Sequence, residues 1–483
     1  MTSPASSALP LPRLNRRPAA APAALRRPRS GLFASDLTVL AFLLLHIPLA
    51  LLLHGRPFLA TAHAYGTIAL GISFLSRDRH PFRLLYVIAY ITGAELLWRA
   101  TDSFTFYEFG KYATAVLLIS AILKYNLLKT IDVRGLLYFV LLLPSLVQLP
   151  DFDRESIAFN LSGPFALSVA VMFFGALRLP RAEIPRICLV ILAPILALVT
   201  LSTFTTLTYM PGVFIVGSKL TSGGVGPNQM SSMLGLGVFL AFLLMFIRRN
   251  GLVLRMTLFG CLLWFAGQCT MTFSRGGFWT SLIAISIASF YLLTGRRRRA
   301  ALLVLVVTVF LLFNFVIFPA LDDYTGGLLG ERFRDFDPTG RDEILQVDML
   351  AFKQNPVLGV GPGASKTLHL EMSFGAASAH TEFSRLLAEH GSLGLIASLL
   401  LLSLIWQRFR DSWSRPEMAG SIAFVAWALL FMSHAAMRLV APCFLFGLGS
   451  GELMPEGDSA DPRRRRLRPV RRQRPRPPLR RVR

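Results

Sequence analysis

Residues 296–319 read RRRRAALLVLVVTVFLLFNFVIFP: four consecutive arginines, Arg296 to Arg299, run straight into an apolar stretch without a single ionisable side chain. A bilayer crossing needs about 20 mostly apolar residues to traverse roughly 30 Å of hydrocarbon, and arginines at one end mark the face that stays in the cytoplasm. The rest of the chain repeats this pattern. Of its 483 residues 53% are hydrophobic and only 16% charged, yet the net charge is +23. The charge is not spread over the molecule: residues 1–30 carry six Arg and no acid, and 462–483 carry twelve Arg and no acid. The basic balance therefore belongs to two tails. It does not indicate nucleic-acid binding, and long apolar runs at this charge density argue against a soluble enzyme or a collagen-like fibre. Four scattered cysteines (Cys188, Cys261, Cys269, Cys443), with no CxxC pair, exclude a disulfide scaffold and read as small buried hydrophobes.

Hydropathy places candidate spans near 32–54, 58–75, 84–100, 110–128, 135–150, 158–177, 187–207, 228–247, 256–273, 278–294, 301–319, 391–406, 418–433 and 438–452. The fold expected is an all-α membrane protein, a polytopic bundle of about twelve to fourteen transmembrane helices with one large helical periplasmic loop. Alternate connections are basic, including Arg77/Arg79/Arg83, Lys124/Lys129/Arg134, Arg178/Arg181/Arg186, Arg248/Arg249/Arg255 and Arg408/Arg410/Arg415. The intervening ones are acidic, which puts both termini on the cytoplasmic side of the membrane. The expected organisation is a disordered basic arm (1–30), N-terminal transmembrane helices (31–225), a C-terminal module (226–454) and a disordered Arg-rich tail (455–483).

The connection 320–390 differs in kind, with about 70 residues bearing eleven acids and six bases, and long ordered loops carry function. Within it, 341–354 reads as an amphipathic helix facing inward through Ile344, Val347, Leu350 and Ala351. A second helix is expected over 379–390, ending at Gly391. Between them Asn355-Pro-Val-Leu-Gly-Val-Gly-Pro-Gly363 is a glycine-punctuated turn. The spans are nearly free of charge, which disfavours a proton-coupled transporter. Glu95, four residues before Arg99 on a helix, reads as an ion pair.

The chemistry is therefore expected at the outer surface. Thr272-Phe-Ser-Arg-Gly-Gly277 puts Arg275 at a helix end, with Gly276 and Gly277 allowing a headgroup or another helix close to it. Gly340-Arg341 sets a second guanidinium at the start of the loop's first helix. Two planar forks suit a diphosphate, although each Arg singly also reads as a surface charge. His380, following Ser378 as a possible N-cap, opens the second helix, where the helix dipole disfavours imidazolium and leaves a base; its partners Phe383 and Leu387 are apolar, so a buried structural His is the other reading. His390 reads as a helix-terminal residue, and His369 and His434 have no evident context. Asp151-Phe-Asp153 and Asp335-Phe-Asp337 have the form of a metal-binding acid pair but read as solvated loop acids.

Taken in order, Gly226-Pro-Asn228, Ser274-Arg275-Gly276, Gly340-Arg341, Pro356-x-x-Gly359-x-Gly361 and His380-x3-Ser384-x4-Glu389-x-Gly391-x2-Gly394 resemble the bacterial O-antigen ligase and O-antigen polymerase family. The resemblance covers about Gly226 to Leu395, a third of the chain. It departs at Thr381, where the family usually has Asn after the loop His, and at Ile344-Leu345-Gln346, where an aromatic is common. It implies metal-independent transfer of a glycan, without a cofactor, from an undecaprenyl-diphosphate carrier to lipid A-core or to a growing glycan. On that reading Arg275 and Arg341 bind the diphosphate and His380 orients or deprotonates the acceptor hydroxyl. A ligase, a polymerase and a protein O-glycosylating transferase share this donor chemistry, and a flippase for the same lipid-linked sugars is the competing class. Membrane lipids are the other expected partners, held in part by the basic tails.

Overall fold

The computed structural model describes residues 33, 35–149, 153–208, 214–215, 217, 219–292, 296–335, 341–372, 381–413 and 419–454. The arm 1–30 and the tail 455–483 lie outside them. The N-terminal helices are α1 (Asp36–Leu44), α2 (His46–Leu53), α3 (Pro57–Arg77), α4 (Phe82–Ala100), α5 (Phe109–Lys124), α6 (Val133–Val140), α7 (Arg154–Ala176) and α8 (Ile184–Thr208). Then come α9 (Pro227–Ile247), α10 (Leu252–Met271), α11 (Arg275–Leu292), α12 (Arg296–Leu312), α13 (Phe318–Tyr324), α14 (Leu328–Arg334) and α15 (Arg341–Gln354). The chain closes with α16 (Ala364–Met372), α17 (Glu382–Trp413), α18 (Ala419–Ala435) and α19 (Val440–Ser450). One parallel strand pair, β1 (Arg178–Pro180) with β2 (Glu452–Met454), is the sheet among the described residues.

The protein is thus an all-α polytopic membrane protein. Helix α8 is its axis: apolar all round, it packs on α2, α4 and α9. Pro194 removes a backbone donor from α8, and Gly93 of α4 lies against it, where a Cβ would meet the Ile191 carbonyl oxygen at 2.3 Å. The rod formed by α12, a π-turn over Phe313–Ile317 and α13 has the highest hydropathy of the spans yet is almost wholly exposed.

Each expected span contains helix among the described residues, and by length and composition eight helical segments there are long and apolar enough to cross a membrane, against the twelve to fourteen expected. The difference lies in helices that are short or bear polar and charged residues. At eleven residues α19 rises only about 16 Å, half of a hydrocarbon core. All eleven are buried, chiefly against α7 and α18. The large connection begins later than 320, since α13 runs on to Tyr324; at its other end a break at Gly391 separates the expected loop helix from the apolar helix that follows. The connection contains α14 and α16, which carried no clear pattern. Helix α15 has its expected bounds and buries Ile344, Val347 and Ala351, but Leu350 is exposed. Asp348 is buried in its stead because His369 of α16 reaches its carboxylate at 2.8 Å.

The ends of the helices sort by charge. Asp36 pairs with Arg248 at 2.5 Å, Arg178 with Glu452 at 3.0 Å, and Arg408 donates to the Ser450 carbonyl. These contacts bring both ends of the described chain to the basic loops. Arg83 and Arg99 stand near opposite ends of α4, so the residues around Arg99 lie on the other face.

Candidate functional site

The site is built on a break in α17. At Gly391 the backbone turns to φ 59 and ψ −140, so the helix stops and restarts one residue later. Carbonyls orphaned at such a break need donors. The turn after α15 supplies them: Val360 N–H donates to the Ala388 carbonyl at 2.9 Å and Gly361 N–H to that of Glu389 at 3.0 Å, while Ser392 N–H reaches Pro356 at 2.8 Å. This requires backbone against backbone. A Cβ on Gly359 would lie 2.4 Å from the Glu389 carbonyl carbon, and one on Gly391 would lie 2.6 Å from Val357, and both residues also have positive φ. The Pro356-x-x-Gly359-x-Gly361 and Gly391 motifs are thus two halves of one joint. His390 does end the helical segment before Gly391, and its Nδ1 is buried 2.6 Å from Ser145 Oγ.

The N-terminal half of α17 faces a cavity of about 860 Å³, enclosed by the connections 106–108 and 436–438, the start of α7 and residues 363–367. Arg385 organises its floor. It forks onto Glu382, donates through Nη1 to Glu389 at 2.9 Å and reaches Asn160 at 3.2 Å. Glu389 also accepts from Ser365 at 2.8 Å, and Glu382 from the Met437 N–H at 3.1 Å. A second knot lies beside it. Glu95 and Arg99 pair at 2.5 Å as expected, but both are buried and do more: Glu95 accepts from Val440 N–H at 2.6 Å, at the start of α19. Arg99 donates to the carbonyls of Tyr107 and Arg438 at 2.9 and 3.1 Å and stacks 3.8 Å over the Tyr107 ring.

Arg438 lines this cavity, with its guanidinium 5.8 Å from the Phe159 ring. Burial pushes it below the ordinary guanidinium value, and Arg385 adds to that while Tyr107 and Glu382 oppose it. A guanidinium stays protonated regardless, so Arg438 gives the cavity wall a fixed positive charge. Lys366 and the aromatic rings of Phe106, Tyr107 and Phe159 share the walls with Glu108, Asp153 and Glu155, so the cavity is polar, carries charges of both signs and offers ring faces on which a sugar could stack.

Of the three expected site residues, Arg275 is not among the described residues that line this cavity. Arg275 opens α11 and donates to the Asp335 carbonyl, at the end of α14. Gly276 and Gly277 do admit neighbours: a Cβ on Gly277 would meet Ser231 of α9 at 2.0 Å, and one on Gly276 would meet His434 of α18 at 2.4 Å. Arg341 is the first residue of α15, as expected. His380 and Ser378 lie outside the described residues; the helix starts at Glu382, and its cap is Thr381, whose Oγ1 accepts from Ser384 N–H at 3.0 Å. Asn and Thr are both N-caps, so the Thr381 departure keeps the cap. Phe383 and Leu387 are only half-buried, and it is Glu382, Arg385 and Glu389 that go inward. Their i, i+3, i+7 spacing was the available signal; nothing local marked Arg438 or Tyr107. Of the acid pairs, Asp153 caps α7 through the N–H groups of Glu155 and Ser156, and Asp335 pairs with Arg332 at 3.4 Å.

The fold and site thus define a polytopic helical membrane protein in which a broken helix, a glycine joint and a buried Arg floor a polar cavity. Residues 260–399, from α10 into α17, match the family model described as O-Antigen ligase. This segment of the chain is thereby assigned to the O-antigen ligase family, and it supports an enzyme of the glycan-transfer type acting at a membrane. No curated protein matches the chain. The matched segment contains Arg275, Arg341 and His380.

Proposed function

We propose that the chain transfers a glycan from an undecaprenyl-diphosphate carrier to an acceptor hydroxyl, on lipid A-core or on a growing surface glycan, at the periplasmic face of the inner membrane. The observation that carries this reading is the match of residues 260–399, which contain Arg275, Arg341 and His380, to the O-antigen ligase family model, with a polar cavity walled in part by that segment at the face away from the basic loops. The acceptor oxygen attacks the anomeric carbon from the side opposite the carrier, so the configuration inverts. The bond to the diphosphate breaks with its electron pair on the leaving phosphate, and the hydroxyl proton passes to His380. Arg275 and Arg341 neutralise the charge that grows on the diphosphate, stabilising the transition state more than the ground state. No metal is required in this scheme.

Arg275→Ala and Arg341→Ala are each expected to lower surface-glycan assembly by about 10²-fold or more at normal protein level. His380→Ala is expected to cost about 10²-fold to 10⁴-fold. Near-normal glycan in both Arg variants would sink the reading. The lipopolysaccharide of a deletion strain separates the two acceptors: long chains held on the carrier mean a ligase, and a single repeat on the core means a polymerase. Glycan transfer by the purified full chain distinguishes either from a flippase.

A further inference from the structure

A second cavity, of about 950 Å³, opens between α1, α3, α4 and α8 on the periphery of the bundle, beside the basic loops and at the other end of α4 from the Arg99 knot. Its walls are apolar, with Phe42, Leu70, Phe74 and Val190 among them, and it is open sideways because α3 is mostly unburied and Leu70 is 48% exposed. Gly66 is the notch in its wall: a Cβ there would meet nothing within 4 Å. At the mouth stand Arg83, Arg186 and Glu183. Glu183 is already engaged by the Tyr86 hydroxyl and by Arg186 at 2.9 Å, whereas the Arg83 side chain is 67% exposed and only loosely paired with Asp78 at 3.7 Å.

The inner end is closed by a directional chain of hydrogen bonds. Trp98 Nε1–H donates to His63 Nδ1 at 2.9 Å, which leaves the His63 proton on Nε2 to donate to the Tyr90 hydroxyl at 3.0 Å. Tyr90 then donates to His46 Nε2 at 3.1 Å, and His46 Nδ1–H donates to the Phe42 carbonyl at 2.8 Å. Every member is neutral and satisfied by another member. The inner end therefore asks for no polar partner, and a polar solute would gain nothing there.

We propose that this groove is a binding site for an anionic phospholipid of the cytoplasmic leaflet, with one acyl chain lying along α3 and the phosphate at Arg83. From His63 to Phe74, both in the lining, the helix rises about 16 Å, close to the roughly 15 Å of hydrocarbon in one leaflet. The match is to a leaflet lipid rather than to a polyprenyl chain long enough to cross both. At the mouth Arg83 and Arg186 face Glu183 and the more distant Asp78, and the adjoining basic loop adds Arg77 and Arg79, so the four guanidinium groups outnumber the two carboxylates, which favours an anionic headgroup over a zwitterionic one. The cytoplasmic side follows from the positive-inside rule.

The test is native mass spectrometry of the full chain released from bilayers of phosphatidylcholine with added phosphatidylglycerol. The wild type is expected to retain one phosphatidylglycerol. Gly66→Leu fills the notch and is expected to lower its retention at least about tenfold, since several methylene contacts are lost. Gly66→Ala retains it. Arg83→Glu is expected to reduce the preference for phosphatidylglycerol over phosphatidylcholine about tenfold. If Gly66→Leu lowers the melting temperature, Leu70→Trp plugs the same groove one turn along and replaces it in the comparison. Equal retention by wild type and the plugged variant overturns the proposal. So does competition in which undecaprenyl phosphate displaces phosphatidylglycerol from the groove, because the site would then belong to the carrier. Glycan transfer is not the readout, so loss of the transferase reading leaves this result intact.

Discussion

Arg385 shows what a single side chain does here. It is buried between Glu382 and Glu389, and the three charges lie on one face of α17 under the cavity floor. Removing the guanidinium leaves two buried carboxylates without a counter-charge, so Arg385→Met is expected to destabilise the protein by about 3–5 kcal/mol. Thermal unfolding in detergent reads this directly. Arg385→Lys is expected to recover only part of it, because an ammonium cannot fork onto both acids; full recovery would mean that net charge alone matters. Thr381→Ala should cost about 1 kcal/mol and Thr381→Asn almost nothing, as befits an N-cap. The Glu95–Arg99 pair was legible in the sequence because its members stand four apart on one helix. Its third partner, Val440, stands 345 residues away and left no local trace.

At the scale of an element, the joint between α17 and the turn 355–363 is the feature on which the cavity rests. Its glycines were visible as punctuation, but spacing alone could not say that Gly359 and Gly391 touch each other's segments. Gly391→Ala combines a positive φ with a close contact to Val357, and a cost of about 2 kcal/mol or more is expected. Gly260→Ala on α10 meets open space and is expected to be neutral or slightly stabilising. Equal melting temperatures for the two variants would refute the joint. Helix α19 teaches the reverse lesson: its composition reads as an ordinary span, and only the structure shows a helix of eleven residues, all buried, running from the Glu95 knot at Val440 to the Arg408 contact at Ser450.

For the whole molecule, the contacts Asp36–Arg248 and Arg178–Glu452 gather both ends of the described chain at the basic loops, with the cavity at the far end of α4. With that face in the cytoplasm, a single Cys at exposed Lys366 is expected to react with an impermeant maleimide from outside intact cells, and one at Arg83 only after permeabilisation. The four native cysteines are buried and give little background. The reverse pattern would invert the orientation. The class of protein, its apolar segments and the alternation of basic loops were determined by the sequence by itself, because hydropathy and charge act on each segment separately through the bilayer. The same holds for the motif residues Arg275, Arg341 and His380, which are recognisable in order along the chain. Only the tertiary structure decided that Arg385 and Arg438 line one cavity with the Glu95–Arg99 pair beside it, and that α19 lies buried against α7 and α18. Those facts depend on contacts between residues hundreds of positions apart, and no local pattern encodes which buried charge will find which partner.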